Sequence, residues 1–583
     1  MPSHSLTTPG GLLLALSVLV PFLGVMVGLV LGGRNAQRVA LATLVLGLVI
    51  ALGIADALLH SGQTVVYLLG GWAPPLGVAL RADALSAVML VAVAVVICGI
   101  GVYACGDFGT PTGEKEARAP LTFWLLLLAV WGSLNLVFVS GDLFTLYVAL
   151  ELLTFAGVPL VCLDGRGETL RAALRYLLFA LLGSVFYLLG AVLLYGAYGT
   201  LDIALLAAQV RAEPVTWAAA ALMTTGLLAK TALFPLHMWL PPAHAGAPAA
   251  ASAVLSALVI KGSWFLVVRL WFDVMPGVVT LPAAQLLAGL GATAIVVGSV
   301  VALRQERLKL LVAYSTMAQI GYLFLMFPLA FDAATGAMVH GAALTGGLLQ
   351  TVSHATAKAG MFMAAGLVYA ALGHDRIADL AGVARAMPVT VLAFAVSGLA
   401  LMGVVPSGAY LAKKLMLGAA ASSGQDWLTV VLQGGAVFTA GYVVLVLVSM
   451  LRRPGDPVVM VKRVPRTSEF AALGLAVCSL LLALATLGPL PGNLISNPLA
   501  PKELATTLLV FMGGVLLALG LSRRSLLAPD RDAAAVHGNE LRGVAVALGV
   551  AAEQADAFVR RWPSASVAML TLAALFAWLL AAH

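Results

Sequence analysis

Apolar runs of around 20 residues recur along the whole chain, and this feature restricts its fold more than any other. As a helix, such a run is long enough to cross the ~30 Å hydrocarbon core of a bilayer. We count roughly 14–16 candidate spans by this criterion. Because no soluble domain fits between the runs, the sequence predicts an all-α polytopic membrane protein. The spans lie near residues 11–31, 38–59, 83–104, 120–139, 142–162, 172–197, 215–236, 246–270, 282–303, 308–330, 334–371 (expected to be broken), 387–412, 428–451, 470–489, 504–521 and 565–582.

The basic residues of the loops indicate the orientation of the chain. The formal net charge is +7, and most of the arginines and lysines outside the spans follow odd-numbered spans. Cytoplasmic loops carry an excess of such residues. We therefore predict a multi-pass protein of the cytoplasmic (inner) membrane with an extracytoplasmic N-terminus, whose first run is a retained span rather than a signal peptide. The loop residues that set this pattern are Arg34, Arg38, Lys115, Arg118, Arg166, Arg171, Arg175, Arg304, Arg307, Lys309, Arg376, Arg385, Arg452, Arg453, Lys462, Arg463, Arg466, Arg523, Arg524 and Arg531.

The sequence shows no pattern typical of a cofactor site. Its four cysteines are scattered, with no C-x-x-C pair and no histidine cluster beside them. Neither a G-x-G-x-x-G turn after a strand nor a G-x-x-x-x-G-K-[ST] loop occurs. We therefore expect no bound cofactor, no metal and no nucleic-acid partner. The cysteines, which we expect to be small core residues, are Cys98, Cys105, Cys162 and Cys478.

Three long polar segments interrupt the apolar runs, at 105–119, 452–469 and 522–564. The last of them mixes charges of both signs with modest apolar periodicity. It could form an amphipathic helix that lies on the cytoplasmic face and links the last two spans. A solvated connector is the alternative interpretation.

Two spans contain a helix break beside a lysine. One is "GLLAKTALFPLHMWLPPAHAGAP" at 226–248, and the other is "GVVPSGAYLAKK" at 403–414. Interrupted helices in corresponding positions of two transporter halves are typical of an ion site near the middle of the membrane. Broken backbone is tolerated at that depth only where it is covered by protein or lines a water-filled cavity. The pattern therefore favours two wet sites, each with a titratable lysine.

Several ionisable residues lie deep inside the predicted spans. Glu151 is nine residues past Asp142, which places it roughly 13–14 Å into a helix. Lys230 lies in the seventh span and Lys261 in the eighth. An ionisable group at the centre of a membrane helix costs about 2.5–3.5 kcal/mol on insertion scales. The further members of the set are His354 and Lys358, which are four residues apart and share a helix face, and Lys413 and Lys414.

Some of these residues have a simpler interpretation. Lys261, Lys413 and Lys414 could extend their side chains to the lipid headgroups, and His354 could be a hydrogen-bonded core residue. Glu151 and Lys230 lie too deep for this. Six such groups at about 3 kcal/mol each approach ~20 kcal/mol, more than the stability of a typical fold. They must therefore be paired, hydrated or partly neutral, and a row of Lys, His and Glu in that condition can pass protons through intervening water.

Six short motifs follow one another between residues 70 and 420. They are "GGWAPPLGVALRADALSAVM" (70–89), "GDLFTLYVALELL" (141–153), "KTALFPLHMWLPPAHAGAP" (230–248), "LKLLVAYSTMAQIGY" (308–322), "HATAKAGMF" (354–362) and "GVVPSGAYLAKK" (403–414). As an ordered set they resemble the antiporter-like subunits shared by Mrp-type multisubunit cation/proton antiporters, respiratory complex I and membrane-bound hydrogenases. The D-type subunit of an Mrp antiporter is the main expectation.

This resemblance implies a fold and a division of the chain. The family has about fourteen core helices with two inverted five-helix repeats and broken helices, and here extra terminal helices would bring the total to about 16 spans. Each repeat would form a proton half-channel. The predicted units are N-terminal helices at 1–119, a first repeat at 120–270, a second repeat at 282–451, and C-terminal helices at 452–583 that include the polar cytoplasmic segment 522–564.

The resemblance also implies roles for single residues. Glu151 and Lys230 correspond to a charge pair, and Lys261 to a lysine that passes protons along the membrane axis. His354 and Lys358 resemble the family's His/Lys centre, and Lys413 matches the lysine of the twelfth span. Secondary candidates are His237, His244, Asp142 and Lys414.

Four positions depart from the family pattern. Gln350 stands where complex I members often carry a histidine, and Val405, Ala409 and Tyr410 replace residues of the usual second break. These departures favour the antiporter or hydrogenase-type branch over a standard complex I subunit.

The expected function is proton and cation translocation within a larger complex, with other integral membrane subunits and the lipid bilayer as partners. In an Mrp-type complex it would exchange Na⁺ for H⁺. The alternatives are a proton-pumping subunit of a complex I-like or hydrogenase assembly, a coupling partner in inorganic-carbon uptake, an integral membrane lipid enzyme, or a structural scaffold. Since the chain has no cofactor motif, it would not be the redox enzyme of such an assembly.

Overall fold

A computed structural model of the chain describes residues 7–110, 117–332, 336–454, 458–485, 501–525 and 540–582. Three N-terminal helices enclose a small β-hairpin whose strands are antiparallel, with Val65 opposite Ala82. The hairpin was not expected from the sequence, which predicts helices throughout. The elements of this region are α1 (Leu12–Leu31), α2 (Gly33–Ser61), β1 (Val65–Leu68), β2 (Ala79–Ala82) and α3 (Ala84–Ala104).

The next part of the chain holds the first helix break. The elements are α4 (Arg118–Val139), α5 (Leu143–Val161), α6 (Gly167–Tyr198), α7 (Ile203–Gln209), α8 (Pro214–Thr231), α9 (Leu240–Gly246), α10 (Ala249–Val254) and α11 (Ile260–Val268). The eighth span is continuous from Ala249 to Val274, because π-helical segments at Leu255–Val259 and Arg269–Val274 join and extend α10 and α11. Single π-turns within α-helices are frequent at functional sites.

The second break lies in the following part of the chain. The elements are α12 (Leu281–Leu303), α13 (Leu308–Phe324), α14 (Met326–Leu329), α15 (Ala342–Leu372), α16 (Val383–Ala386), α17 (Pro388–Met402), α18 (Gly408–Ser422) and α19 (Asp426–Leu451). The prediction that the span at 334–371 is broken is wrong. Helix α15 is continuous over 31 residues, because it contains no proline that would remove a backbone hydrogen bond.

Four helices close the fold: α20 (Arg466–Ala485), α21 (Pro501–Ser525), α22 (Glu540–Val559) and α23 (Trp562–Ala581). The helix α22 lies within the polar segment 522–564, where a helix was one of the two interpretations, and its position on the cytoplasmic face stays a prediction. Residues 526–539 lie outside the described residues, as do Lys115 and Arg531. The helix α21 packs on α19, whereas α23 packs on α8. The C-terminal part of the chain therefore contacts both broken-helix regions of the protein.

Within the described residues, 12 helices are long and apolar enough to cross a membrane. The other four predicted spans correspond to α8, the α17–α18 pair, α20 and α21, which are interrupted or have shorter apolar stretches. The protein is therefore a polytopic all-α membrane protein, as predicted. Its division into two inverted repeats stays a prediction.

Three spans form the centre of the molecule. The eighth span is buried along its whole apolar window, and α13 and α15 are buried along most of theirs. These central helices carry Lys261, His354 and Lys358. Residues that the sequence places at membrane depth are therefore also enclosed by protein rather than exposed to lipid.

Candidate functional site

Glu151 and Lys230 form an ion pair between α5 and α8. The Lys230 Nζ lies 3.3 Å from Glu151 Oε1 and donates a second hydrogen bond of 2.9 Å to Thr154 Oγ1. The Ser184 hydroxyl, on α6, donates to the same carboxylate oxygen. Both charged side chains are almost fully enclosed, with 6% of Lys230 and 15% of Glu151 exposed. Hydrogen bonds from Ser184 and to Thr154 support this buried ion pair, because burying two charges is costly unless their polar atoms find further partners.

The helix break places Lys230 at the C-terminal end of α8. The chain leaves the helix at Ala232, whose φ of 58° is in the left-handed region. The Trp239 indole N–H donates to the carbonyl of Ala229 at 3.0 Å, and the Leu233 N–H donates to that of Leu228 at 3.2 Å. These bonds satisfy carbonyls that a helix end leaves without a partner. The partial negative charge of the helix C-terminus also favours the ammonium group of Lys230.

Lys261 lies directly after the first π-helical segment of the eighth span. Its Nζ donates to the carbonyl of Ser256, and the Ser256 hydroxyl lies 3.0 Å from that of Thr316 on α13. The side chain is 1% exposed. Among the described residues no carboxylate lies within 4.0 Å of this ammonium group. Lys261 is therefore held by neutral oxygen atoms, in contrast to Lys230.

Lys358 and His354 form a second buried centre on α15. The Lys358 Nζ donates to the hydroxyl of Ser315 and to the carbonyl of Val312 at 3.3 Å. Neither ring nitrogen of His354 has a hydrogen-bond partner in the described part of the chain, although the side chain is fully buried. Both nitrogens can therefore form a hydrogen bond with a water molecule, and the nitrogen that carries no hydrogen can accept a proton.

His244 is a further buried titratable residue in the interior of the protein. Both of its ring nitrogens also lack a partner among the residues described, and its ring stacks on Phe362 of α15 at 4.7 Å between centroids. The short helix α9 positions it directly after the first break. The structure thus places this secondary candidate against the α15 helix that carries His354 and Lys358.

Polar side chains continue from α15 towards α19. The Gln350 amide donates to Gln319 Oε1 at 3.2 Å, and the Gln319 amide donates to Thr439 Oγ1 at 3.2 Å. Gln350 is one helical turn from His354. The glutamine that departs from the family pattern is therefore part of a hydrogen-bonded series across α15, α13 and α19.

Lys413 lies on α18, just after the second break. The chain leaves α17 at Gly403, with a φ of 76°, and Ser407 caps the new helix by accepting a bond of 3.1 Å from the Tyr410 N–H. Lys413 and Lys414 both line a cavity of about 860 Å³. The Lys414 ammonium lies 5.8 Å from the centre of the Tyr410 ring. Water in this cavity can reach Lys413.

Two secondary candidates lie elsewhere. Asp142 is the N-cap of α5, where its carboxylate accepts from the Thr145 N–H at 2.8 Å. His237 lies in the first break and contacts Asp556 of α22 at 2.8 Å. Asp142 thus has a clear role in starting a helix, whereas His237 connects the break to the C-terminal region.

Sequence reasoning missed three residues of the interior. Lys309 was assigned to a loop, but it lies in the first turn of α13, and its Nζ donates to the Ala247 carbonyl at 2.5 Å. Arg269 was not considered, although it bonds to Asp83 at 2.5 Å. Asp556 was not singled out from the polar segment 522–564. The spacing of Glu553, Asp556 and Arg560, which places them on one helix face, could have indicated Asp556.

Comparisons with known proteins place this architecture in a family. Residues 140–439 match the family described as "NADH:quinone oxidoreductase/Mrp antiporter, TM". The chain is 35% identical over 408 residues to the N-type subunit of NADH-quinone oxidoreductase of Desulforudis audaxviator, covering 69% of this chain and 78% of that relative. It is 29% identical over 416 residues to the D-type subunit of the Na(+)/H(+) antiporter of Alkalihalophilus pseudofirmus, covering 70% of this chain and 80% of the relative.

Solved structures show the same fold. A chain of the membrane-bound sulfane sulfur reductase, an archaeal respiratory membrane complex, matches with a TM-score of 0.72 and 25% identity, over 88% of this chain and 98% of that one. A chain of the Mrp complex from Dietzia sp. DQ12-45-1b matches with a TM-score of 0.71 and 23% identity, over 88% and 99%. The protein is a multi-pass membrane protein of the antiporter-like class. It belongs to the NADH:quinone oxidoreductase/Mrp antiporter transmembrane family, which confirms the predicted resemblance and argues against a lipid enzyme.

Proposed function

We propose that this chain is a proton-translocating subunit of a multisubunit complex in the cell membrane, with an extracytoplasmic N-terminus. Protons would move along Glu151, Lys230, Lys261, His354, Lys358 and Lys413. The observation that carries this proposal is the buried ion pair between Glu151 and Lys230, which stands at a helix break and is followed by further buried lysines on the central spans.

This series of residues supports proton translocation because its lysines differ in the groups that they contact. A carboxylate oxygen lies 3.3 Å from Lys230 Nζ, whereas in the described part of the chain the ammonium groups of Lys261 and Lys358 donate to hydroxyl and carbonyl oxygens. The free energy of a proton on Lys230 therefore depends on the charge of Glu151. Neutralising or displacing Glu151 releases the proton towards Lys261, and restoring the pair draws a new one in. Such a change of charge is a route by which an event elsewhere in a complex can drive transport.

Both branches of the family remain candidates for the complex. Relatives are named as D-type subunits of Na⁺/H⁺ antiporters and as N-type subunits of NADH-quinone oxidoreductases. In the first case the chain would exchange Na⁺ for H⁺; in the second it would pump protons with redox energy from other subunits. Other integral membrane subunits are the expected partners in either case. Identification of the co-purifying subunits separates the two, since small Mrp-type subunits indicate the first and metal-cluster subunits the second.

The test is the isosteric change Glu151→Gln, together with Lys230→Ala, in the complex expressed with its own subunits. Each variant should assemble and lose at least ~10-fold of ion-coupled proton movement in everted vesicles, measured with a ΔpH-sensitive dye. Glu213→Gln is the matched control, since Glu213 is exposed and lies at the start of the same helix as Lys230. Normal transport by the Glu151 variant would overturn the proposal.

A further inference from the structure

In the described second half of α22, residues 547–559, the charged side chains contact the body of the protein and large apolar side chains point outwards. Leu548 and Phe558 are 64% and 59% exposed, whereas Asp556 is 2% exposed. Residues three and four apart lie on one helix face. Glu553 and Asp556 of α22, with Arg560 directly after its end, therefore form one stripe that faces the body of the molecule, the reverse of what a solvated connector requires.

Asp556 is the centre of this stripe and joins three elements. Its Oδ1 lies 2.8 Å from His237 Nε2 in the first helix break. Its Oδ2 accepts a hydrogen bond of 2.9 Å from the Tyr314 hydroxyl on α13, and one of 2.7 Å from Nε of Arg560, the residue directly after α22. On the same helix, Glu553 pairs with Arg304 at 2.7 Å. These are the charged and titratable groups that the structure places around the carboxylate.

The surroundings of the Asp556 carboxyl favour its ionised form. Burial raises its pKa, but the hydrogen bond and charge of His237, the charge of Arg560 and the bond from Tyr314 lower it further, so that the net pKa lies below its ordinary value. A carboxylate 2.8 Å from Nε2 orients the imidazole ring and fixes which ring nitrogen carries the shared proton.

His237 keeps its other nitrogen free. The ring is fully buried, and Nδ1 has no hydrogen-bond partner among the described residues. The residue lies in the break, seven positions after Lys230 and three before the start of α9. With Nε2 bonded to Asp556, Nδ1 can bind a proton and release it again while the carboxylate itself is unchanged.

We propose that His237 is a proton carrier of the first helix break and that Asp556, supplied by the C-terminal helix α22, is its positioning residue. The proton would pass through Nδ1 between the face of the protein that carries α22 and the Glu151–Lys230 pair. The proposal rests on the proposed function, and it assigns to the C-terminal extension, which lies outside the matched family region 140–439, a part in transport.

The experiment compares Asp556→Asn, Asp556→Glu, His237→Gln and the double variant D556N/H237Q in the assembled complex in everted vesicles. The Asn variant should lower the initial rate at neutral pH at least ~10-fold and shift the pH for half-maximal transport to lower values by about one unit. The Glu variant should restore most of the rate. The double variant should be no slower than His237→Gln, because both changes act on one carrier. The control is Glu553→Gln, whose partner Arg304 is at the surface, and it should transport as the native chain does.

Two results overturn the inference. One is a native rate and pH profile for Asp556→Asn. The other is a lower rate that follows only a lower amount of assembled complex, with an unchanged pH profile, since a merely structural contact would do this. Glu151→Gln in the same vesicles separates the two proposals. If it is inactive while Asp556→Asn is normal, only the role of Asp556 is wrong; if both are normal, the proposed function is wrong as well.

Discussion

Among Lys230, Lys261 and Lys358, Lys230 is the one whose ammonium group pairs with a carboxylate in the described residues. The other two are stabilised by hydrogen bonds to neutral oxygen atoms instead. Lys261 and Lys358 are fully buried; Lys261 donates to the Ser256 carbonyl of its own span, and Lys358 donates to the Ser315 hydroxyl on α13. Leaving a buried polar group without such a bond costs about 1–3 kcal/mol. The serines that receive these bonds, Ser256 and Ser315, are therefore part of the site even though they do not titrate.

Lys413 and Lys414 are adjacent in sequence but should differ in function. Lys413→Ala should lower transport at least ~10-fold, because it removes a titratable group from the row. Lys414→Ala should retain the native rate within about twofold, since its ammonium lies over the Tyr410 ring, an interaction worth ~0.5–1 kcal/mol at exposed sites. Vesicle transport assays of the two single variants check this. The assignment of Lys413 is wrong if the two variants transport equally well.

Asp83 makes the stability of the protein depend on pH. Burial raises the pKa of this carboxyl, but the hydrogen bond and charge of Arg269 and two bonds from Ser86 lower it more, so that it lies below its ordinary value. The stabilisation is therefore complete above about pH 4, the unfolded value, and is lost as the pH falls through the lower folded value. Thermal unfolding of the purified complex should show this acid-side loss. Asp83→Asn should be less stable at neutral pH, with a smaller change on acidification.

The helices α6 and α8 approach each other at two glycines. A Cβ on Gly183 would lie 2.7 Å from the carbonyl oxygen of Gly226, and one on Gly226 would lie 2.3 Å from that of Gly183. Small residues allow membrane helices to pack this closely. The same Gly183 position is 3.4 Å from Lys230 Cγ. This contact therefore sets the distance between Ser184, which bonds to Glu151, and the lysine of the pair.

Gly183→Val should force α6 and α8 apart, because the clash is with backbone atoms that cannot rotate away. Overpacking of this kind costs about 1–3 kcal/mol, and we expect a reduced melting temperature and a loss of transport larger than the loss of assembled complex. Gly196→Val, on the same helix with no atom near its Cβ position, is the control. Equal behaviour of the two variants would contradict the role of the contact.

At the scale of the whole molecule, the C-terminal helices contact both broken-helix regions. Helix α21 packs on α19 and lines the cavity of Lys413 through Thr506 and Thr507, whereas α23 packs on α8. Helices in a membrane associate through close packing and hydrogen bonds, and the C-terminal helices are packed in this way against the rest of the protein. The C-terminal extension is a structural element of the transport unit rather than a tail.

The proposed orientation can be tested by labelling single cysteines in a chain whose native cysteines are replaced. Gln63→Cys follows the second span, and Arg385→Cys follows the eleventh; both positions are exposed. With an extracytoplasmic N-terminus, a membrane-impermeant thiol reagent should label position 63 in intact cells and position 385 only in everted vesicles. The opposite pattern would invert the topology, and labelling of both positions from one side would contradict the number of spans between them.

The spans and the depth of the charged residues could be predicted because both follow from local sequence. The polar interruption at 226–248 likewise predicted a break, which the structure shows between Thr231 and Leu240. The π-helical segments, the β-hairpin and the continuity of α15 could not be predicted, since they depend on packing between helices. Lys309 was assigned to a loop because a basic residue next to two others in a short polar stretch normally marks a membrane surface.

The sequence by itself determined that the chain crosses the membrane many times and carries Glu151, Lys230 and further ionisable residues inside its spans. This is so because the hydrophobic length needed to cross a bilayer is a property of each run alone. Only the tertiary structure decided which of these residues meet. Glu151 and Lys230 are 79 positions apart and His237 and Asp556 are 319 apart, and no periodicity in the sequence joins them. Their pairing arises from tertiary packing, which brings distant segments of the chain together and supplies each buried charge with its partner.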